Sequence, residues 1–186
     1  MTEHTVITPL DDKAVSEMMS SDRVKFTGKI YTARDAAHKK LVELLASGKA
    51  LPIDVKDQVI YYAGPAPAKP GYVIGPAGPT TSGRMDNYTV PLLEAGLKGV
   101  IGKGVRSTAV KEGLKRYKAV YFAAVGGAAA LLSQKIKKAK VVAFPELGPE
   151  AIFELEVEDF PVVVVNDIYG NDLYTMGVQK YLENES

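Results

Sequence analysis

Three cations and a run of hydroxyls stand at turns in this sequence: Arg34, the consecutive Thr80, Thr81, Ser82, Gly83 and Arg84, and Lys103 between two glycines. An arginine grips a carboxylate through two parallel hydrogen bonds, and a lysine adds a point charge. Two arginines and one lysine on a common rim would match a small dianion, and a dicarboxylate is the simplest such ligand. Gly78 and Gly83 flank the hydroxyl run, so the backbone N–H groups of Thr81 and Ser82 could approach a carboxylate without a crowding side chain. The competing reading makes Arg34 and Arg84 surface charges paired with Asp35 and Asp86.

Other chemistries are excluded by residue type. The 186 residues include no cysteine, which removes disulfides, thiolate nucleophiles, zinc knuckles and any iron–sulfur cluster ligated from within the chain. No GxGxxG follows a strand. The Gly102, Lys103, Gly104 turn fails the phosphate-loop pattern, because Leu97 occupies the first glycine position and Gly104 replaces the Ser or Thr. His4 and His38 lie far apart and in no metal-binding spacing; His38 reads as a helix-face residue touching a neighbour. Thr80, two before Ser82, breaks the GxSxG nucleophile elbow.

Lys and Arg total 23 against 22 Asp and Glu, so no global field draws in a nucleic acid. No apolar run approaches the ~20 residues of a membrane span, and MTEHTVITPL lacks the basic and apolar regions of a signal peptide. A soluble, cytoplasmic protein is expected. With 46% hydrophobic and 24% charged residues the composition is that of a globular domain, and the length suits a single one over 1–186.

The elements that must position these residues follow from periodicity. Val24, Phe26 and Ile30 alternate with Lys25, Thr27 and Lys29, predicting a strand over 24–33. A helix follows with Ala37, Leu41, Leu44 and Leu45 on one stripe and Gly48 at its stop, which puts Arg34 and Asp35 at a strand-to-helix junction. After a strand at 59–63, Pro and Gly crowd a segment at about 64–84 that excludes regular structure and reads as an active-site loop or lid. A helix over 85–95 contains Pro91 and is closed by Gly96. A strand at 99–101, a helix capped near Ser107 or Thr108 and carrying Val110, Leu114 and Tyr117, and an apolar strand at 119–125 come next. A helix is expected through GGAAALLSQKI, then strands at 141–144, 151–160 and 161–167, and a last short helix. Alternating strands and helices indicate an α/β domain with parallel crossovers and a mixed sheet.

GPTTSGRMDNYTVPLLEAGLKGVIGKG (78 to 104) resembles the most characteristic stretch of the class I iron–sulfur fumarase and tartrate dehydratase β subunit, equivalent to the C-terminal domain of single-chain class I fumarases. GKIYTARDAAHKKL (28 to 41), YYAGPAPAKPGYVIGPAGPTT (61 to 81), YFAAVGGAAALL (121 to 132), FPELGPEAIFELEVEDFPVVVVND (144 to 167) and YGNDLY (169 to 174) extend the likeness to nearly the whole chain. The resemblance implies a swivelling β/β/α domain and a hydro-lyase that adds or removes water across the double bond of a small dicarboxylate. It implies a [4Fe–4S] cluster held by three cysteines of an α subunit, with one open iron acting as a Lewis acid on the substrate.

A cysteine-free chain would be the half that closes over that cluster, inactive alone, with two of each subunit in the assembly. By position, Arg34 and Arg84 resemble the family's carboxylate-binding arginines, Lys103 its substrate-reaching lysine, and Thr80 the threonine proposed as catalytic base. Thr81, Ser82 and Gly83 complete the implied substrate-binding run, and no residue of this chain is expected to ligate metal. The rim at 64–84 would be mobile in the isolated chain, with Pro65, Ala66, Pro67, Tyr72 and Ile74 meeting the partner. Fumarate and tartrate remain open as substrates, and a non-catalytic dicarboxylate-binding module is the alternative of another class.

Overall fold

The computed structural model describes residues 1–124 and 129–184. Its seven strands form one mixed sheet whose pairings return on themselves. β2 (Arg23–Thr32), β3 (Val59–Tyr61), β4 (Gly99–Gly102) and β5 (Val120–Ala123) run parallel in that order. β7 (Ile152–Asn166) runs antiparallel to β5 through its C-terminal end and to β2 along most of its length. The five strands therefore close a ring. β1 (Glu3–Ile7) adds to β2 in parallel, and β6 (Ile136–Ala143) adds to β7 in antiparallel, as two flaps on it.

Closure gives the sheet two distinct faces, and the alternation of side chains fills both. Phe26, Ile30, Val59, Tyr61, Phe122, Leu155 and Phe160 share an inner core, with Phe26 edge-on to Phe122 at 5.0 Å and Tyr61 edge-on to Phe160 at 5.4 Å. Their neighbours Ile60, Tyr62, Val100, Tyr121 and Val165 point the other way and meet Leu41, Leu92, Leu93 and Leu114 of the helices. Those helices are α2 (Asp35–Ala46), α3 (Asp86–Glu94) and α4 (Thr108–Arg116). α1 (Asp12–Glu17), α5 (Ala129–Gln134) and α6 (Leu173–Asn184) are the other α-helices among the described residues.

The α/β class and mixed sheet expected from periodicity are present, with four corrections. β1 and α1 went unread, because His4, Val6 and Thr8 are too few to set a period before Pro9 interrupts. The strands expected at 151–160 and 161–167 are one: Pro161 faces Lys25 across a ladder that continues past it. The positive φ of Asp159, 50°, and the register shift opposite Phe26 and Gly28 absorb the irregularity within that strand pair. β6 begins at Ile136, where a helix was expected to run on, since its lysines hide the apolar alternation. Finally, Ser82–Met85 forms a 3-10 turn leading into α3, so the irregular loop ends at about residue 81. Val125 of the expected strand and the start of the GGAAALLSQKI segment lie outside the described residues.

Candidate active site

Because β2, β3, β4 and β5 are parallel, their C-terminal ends share one rim, the end at which parallel α/β sheets, open or closed, bind ligands. Arg34 stands two residues beyond β2, the Pro/Gly-rich loop leaves β3, and Lys103 follows β4 immediately. The loop is tied at its neck: Ala66 N–H donates to Pro76 O (3.1 Å), Gly75 N–H to Ala66 O (3.2 Å), and the buried Tyr61 hydroxyl to Ala77 O (2.6 Å). A Cβ on Gly75 would stand 2.4 Å from Ala66 O, so the two legs can meet only at a glycine. Its tip turns at Lys69 to Tyr72 around Gly71, with Tyr72 and Val73 exposed. This is an Ω-shaped excursion with a closed base rather than a free tether.

Two carboxylates organise the arginines. Arg34 precedes α2 as its N-terminal cap, and its Nη2 donates to Glu150 Oε1 at 2.8 Å. The second Glu150 oxygen accepts from the Ala36 N–H at 2.9 Å, in the first turn of α2. Burial opposes ionisation of Glu150, but the Ala36 N–H and the Arg34 guanidinium outweigh it and hold its pKa below the ordinary value. Arg84 reaches Asp35 through Nε (3.0 Å) and Nη2 (2.9 Å), while Arg34 Nε lies 4.0 Å from the same carboxylate. The pairings weighed in the sequence are therefore rearranged: Glu150 is the near partner of Arg34, and Asp35, not Asp86, is that of Arg84. Both arginines are ion-paired, and both remain at the rim, Arg84 exposed and Arg34 half-buried over Gly64.

The hydroxyl run divides by direction. Thr80 is pinned by its backbone N–H to Tyr62 O at 2.6 Å, and Thr81 bridges to Lys103 in parallel fashion. Among the described residues the Thr80 hydroxyl has no hydrogen-bond partner and the Lys103 ammonium no ion pair. Thr81, Gly83 and Lys103 are exposed and Thr80 half-buried. Ser82 departs from expectation. Its N–H donates to Lys103 O (2.9 Å), and its buried hydroxyl turns inward to Tyr121 Oη (3.0 Å), so neither is offered to a ligand. The structure thus gathers Arg34, Thr80, Thr81, Gly83, Arg84 and Lys103 on one rim and sends Ser82 into the wall behind it.

Sequence reasoning missed that wall. Arg106 lies wholly buried between Tyr62 and Tyr121, and His38 packs edge-on against Tyr62 at 5.1 Å. His38 does touch neighbours as expected, but inside the molecule. Its Nδ1 lies 3.0 Å from Arg34 O while Nε2 is without a partner, and burial pushes its pKa down to about 4. Arg106 carries no local signal, since a cation two residues after a glycine turn looks like any surface charge. Among the described residues no group of three His, Cys, Asp or Glu is placed to hold a metal ion, and no helix is long and apolar enough to cross a membrane.

Comparison with known proteins assigns the family. Residues 3–177 match the family described as the fumarase C-terminus. The chain belongs to this family. It is 46% identical over 173 residues to the anaerobic class I fumarate hydratase of Escherichia coli K12, covering 91% of this chain and 31% of that protein. It is 42% identical over 172 residues to fumarate hydratase 2 of Leishmania major, covering 90% and 30%. A Methanocaldococcus jannaschii chain, provisionally named L(+)-tartrate dehydratase subunit beta, is 41% identical over 171 residues, covering 89% and 88%. The chain thus spans about a third of the fumarate hydratases it matches and most of the subunit-sized relative. Fumarate hydratases and tartrate dehydratases are hydro-lyases, and it is to these that the family's resemblance extends.

Proposed function

We propose that this chain is the β half of an iron–sulfur hydro-lyase that interconverts fumarate and L-malate together with a cluster-bearing α subunit. The observation that carries the reading is the rim itself: Arg34 and Arg84 tied through Asp35, beside a Thr80 hydroxyl and a Lys103 ammonium free of partners among the described residues. The [4Fe–4S] cluster does not fit this chain, which has neither a cysteine nor, among its described residues, a group of metal-ligating side chains. The cluster is therefore assigned to the partner.

This chain's own part is binding and proton transfer. Arg34 and Arg84 take the substrate carboxylates, with Lys103 adding positive charge. Dehydration of malate removes one proton from the carbon beside a carboxylate and hydroxide from its neighbour. Charge builds on that carboxylate as the proton leaves, and cations aimed there contribute most in the transition state. Thr80 is assigned as the acceptor of the proton. Its hydroxyl is a very weak base unless its alkoxide is stabilised, and Arg84 and Lys103 in a closed, dry site provide that field. Ser82 shapes the wall rather than touching substrate.

The Methanocaldococcus relative keeps L(+)-tartrate as the second substrate reading, because the rim residues recognise carboxylates and carry nothing specific for the additional hydroxyl. The test is anaerobic co-purification from the source, reconstitution with ferrous iron, and assays with malate, fumarate and tartrate. A cysteine-bearing partner and fumarate hydration are expected. Thr80→Ala in that complex should lower kcat by about a hundredfold or more with KM little changed; a mainly raised KM would reduce Thr80 to a hydrogen-bonding role. Recovery of the chain alone, binding dicarboxylate saturably without turnover, would replace the enzyme reading with a binding module.

A further inference from the structure

Behind the rim lies a polar network that the proposed chemistry does not use. The Arg106 guanidinium is wholly enclosed, and each part of it is directed. Nε donates to Asp86 Oδ1 (2.7 Å), Nη2 to Thr89 Oγ1 (2.6 Å), and Nη1 to the Tyr62 hydroxyl (3.3 Å). Its carbon lies 5.3 Å from the Tyr62 ring centre and 5.1 Å from that of Tyr121. Proton directions follow without conflict. Thr89 donates to Met85 O (2.8 Å), so the Tyr62 hydroxyl, accepting from Arg106, donates to Thr89 at 3.1 Å. Tyr121 donates to Gly104 O (2.7 Å) and so accepts from Ser82 Oγ.

The ends of this network are the two segments that carry the rim groups. On one side are Ser82, two residues after Thr80, and Met85 and Asp86, which together bracket Arg84. On the other are Gly104 and Ser107, whose N–H donates to Asp86 Oδ2 at 2.7 Å, so that the turn bearing Lys103 is held as well. Burying an ion pair is a poor way to gain stability, since apolar residues of the same volume do as well or better. What a buried planar cation supplies is several bonds at fixed angles.

We propose that Arg106, acting through Asp86 and Thr89, and the Ser82–Tyr121–Gly104 hydrogen-bond bridge against whose ring it lies are one positioning unit of the active site, setting the spacing between the 80–84 segment and the Lys103 turn. It touches no substrate. The inference rests on the hydro-lyase reading for its catalytic consequence and on geometry alone for its structural one. Two variants test it in the reconstituted complex. Arg106→Lys keeps the charge and loses the fork, while Tyr121→Phe keeps ring and volume and loses only the hydroxyl between Ser82 and Gly104.

In both variants kcat for malate dehydration should fall about ten- to a hundredfold with KM changed less than about threefold. Amide exchange in the full chain should quicken at 82–86 and 102–107 while β2 and β7 keep their protection. If Arg106→Lys fails to fold, Tyr121→Phe decides alone. Exchange that quickens evenly over the whole chain, or kcat within twofold of wild type in a folded Tyr121→Phe complex, would overturn the proposal. A wild-type complex lacking hydro-lyase activity would defeat the functional reading instead, and the exchange pattern would still decide the positioning of the two segments.

Discussion

Asp35 shows how one side chain converts separate surface cations into a cluster. Shared between Arg34 and Arg84, it brings together guanidinium groups that would otherwise repel, and Glu150 turns the first of them further toward the loop base. His38, one turn along the same helix, is the more testable residue. Its imidazole is neutral in the fold because burial excludes the charge; the bond to Arg34 O and the Asp35 carboxylate favour protonation, Arg106 opposes it, and the balance leaves a pKa of about 4. The unfolded chain takes a proton below about 6.5, the ordinary histidine value. The contribution is therefore whole above that pH and is lost as pH falls toward 4, on the order of 3 kcal/mol in all. Stability from urea denaturation at pH 7 and pH 5 should differ by a little over half of that, about 2 kcal/mol, and His38→Leu should flatten the difference. Equal pH sensitivity in both proteins would place the titration elsewhere.

At the level of elements, the close approach of two loops decides which glycines matter. The Ser82 hydroxyl occupies the space over Gly102, so a Cβ there would stand 1.9 Å from Ser82 Oγ and 3.0 Å from the Tyr62 ring. Gly102→Ala should cost about 1–3 kcal/mol by chemical denaturation and push the 80–84 segment outward. Gly104 is the contrast: nothing lies within 4 Å of its Cβ position, but its φ is 83°. Gly104→Ala should cost only the left-handed backbone penalty, about 1 kcal/mol; equal losses would contradict this division. The sequence made the strands β2 to β5 and helices α2 to α4 legible through their periods, and the rim cations through their placement at turns. Side-chain direction was not legible, because Ser82 and Arg106 differ from exposed neighbours only in what the tertiary fold puts beside them. The β6 strand and the length of β7 were hidden for a related reason: lysines and a proline on solvent-facing positions break the apolar pattern without breaking the ladder.

For the molecule as a whole, ring closure fixes the rim while leaving its Ω-loop outside the sheet. β2 and β7 pair along most of their length, so the strand ends bearing Arg34 and the hydroxyl run sit on a closed scaffold. Beyond its neck the loop is solvent-exposed at Ala66, Pro67, Tyr72 and Val73, whereas Pro65 and Ile74, expected among the partner contacts, are already buried within this chain. On the proposed assembly, hydrogen exchange of the chain alone and with the proposed α subunit should show protection gained at 66–73, with β2 and β7 unchanged. Unaltered exchange at 66–73 would remove this loop from the interface.

A closed ring with two flaps also leaves few places where another strand could add. On β6, the outer flap, Lys137, Lys138 and Lys140 crowd eight residues, with Lys137 paired to Glu158 and Lys138 to Glu156. Charged side chains along an edge strand, even where paired with glutamates on the neighbouring strand, must be desolvated before another strand can add, which disfavours templated pairing. The same lysines that obscured this strand in the sequence thus make the β6 edge a poor template for a second copy of the chain.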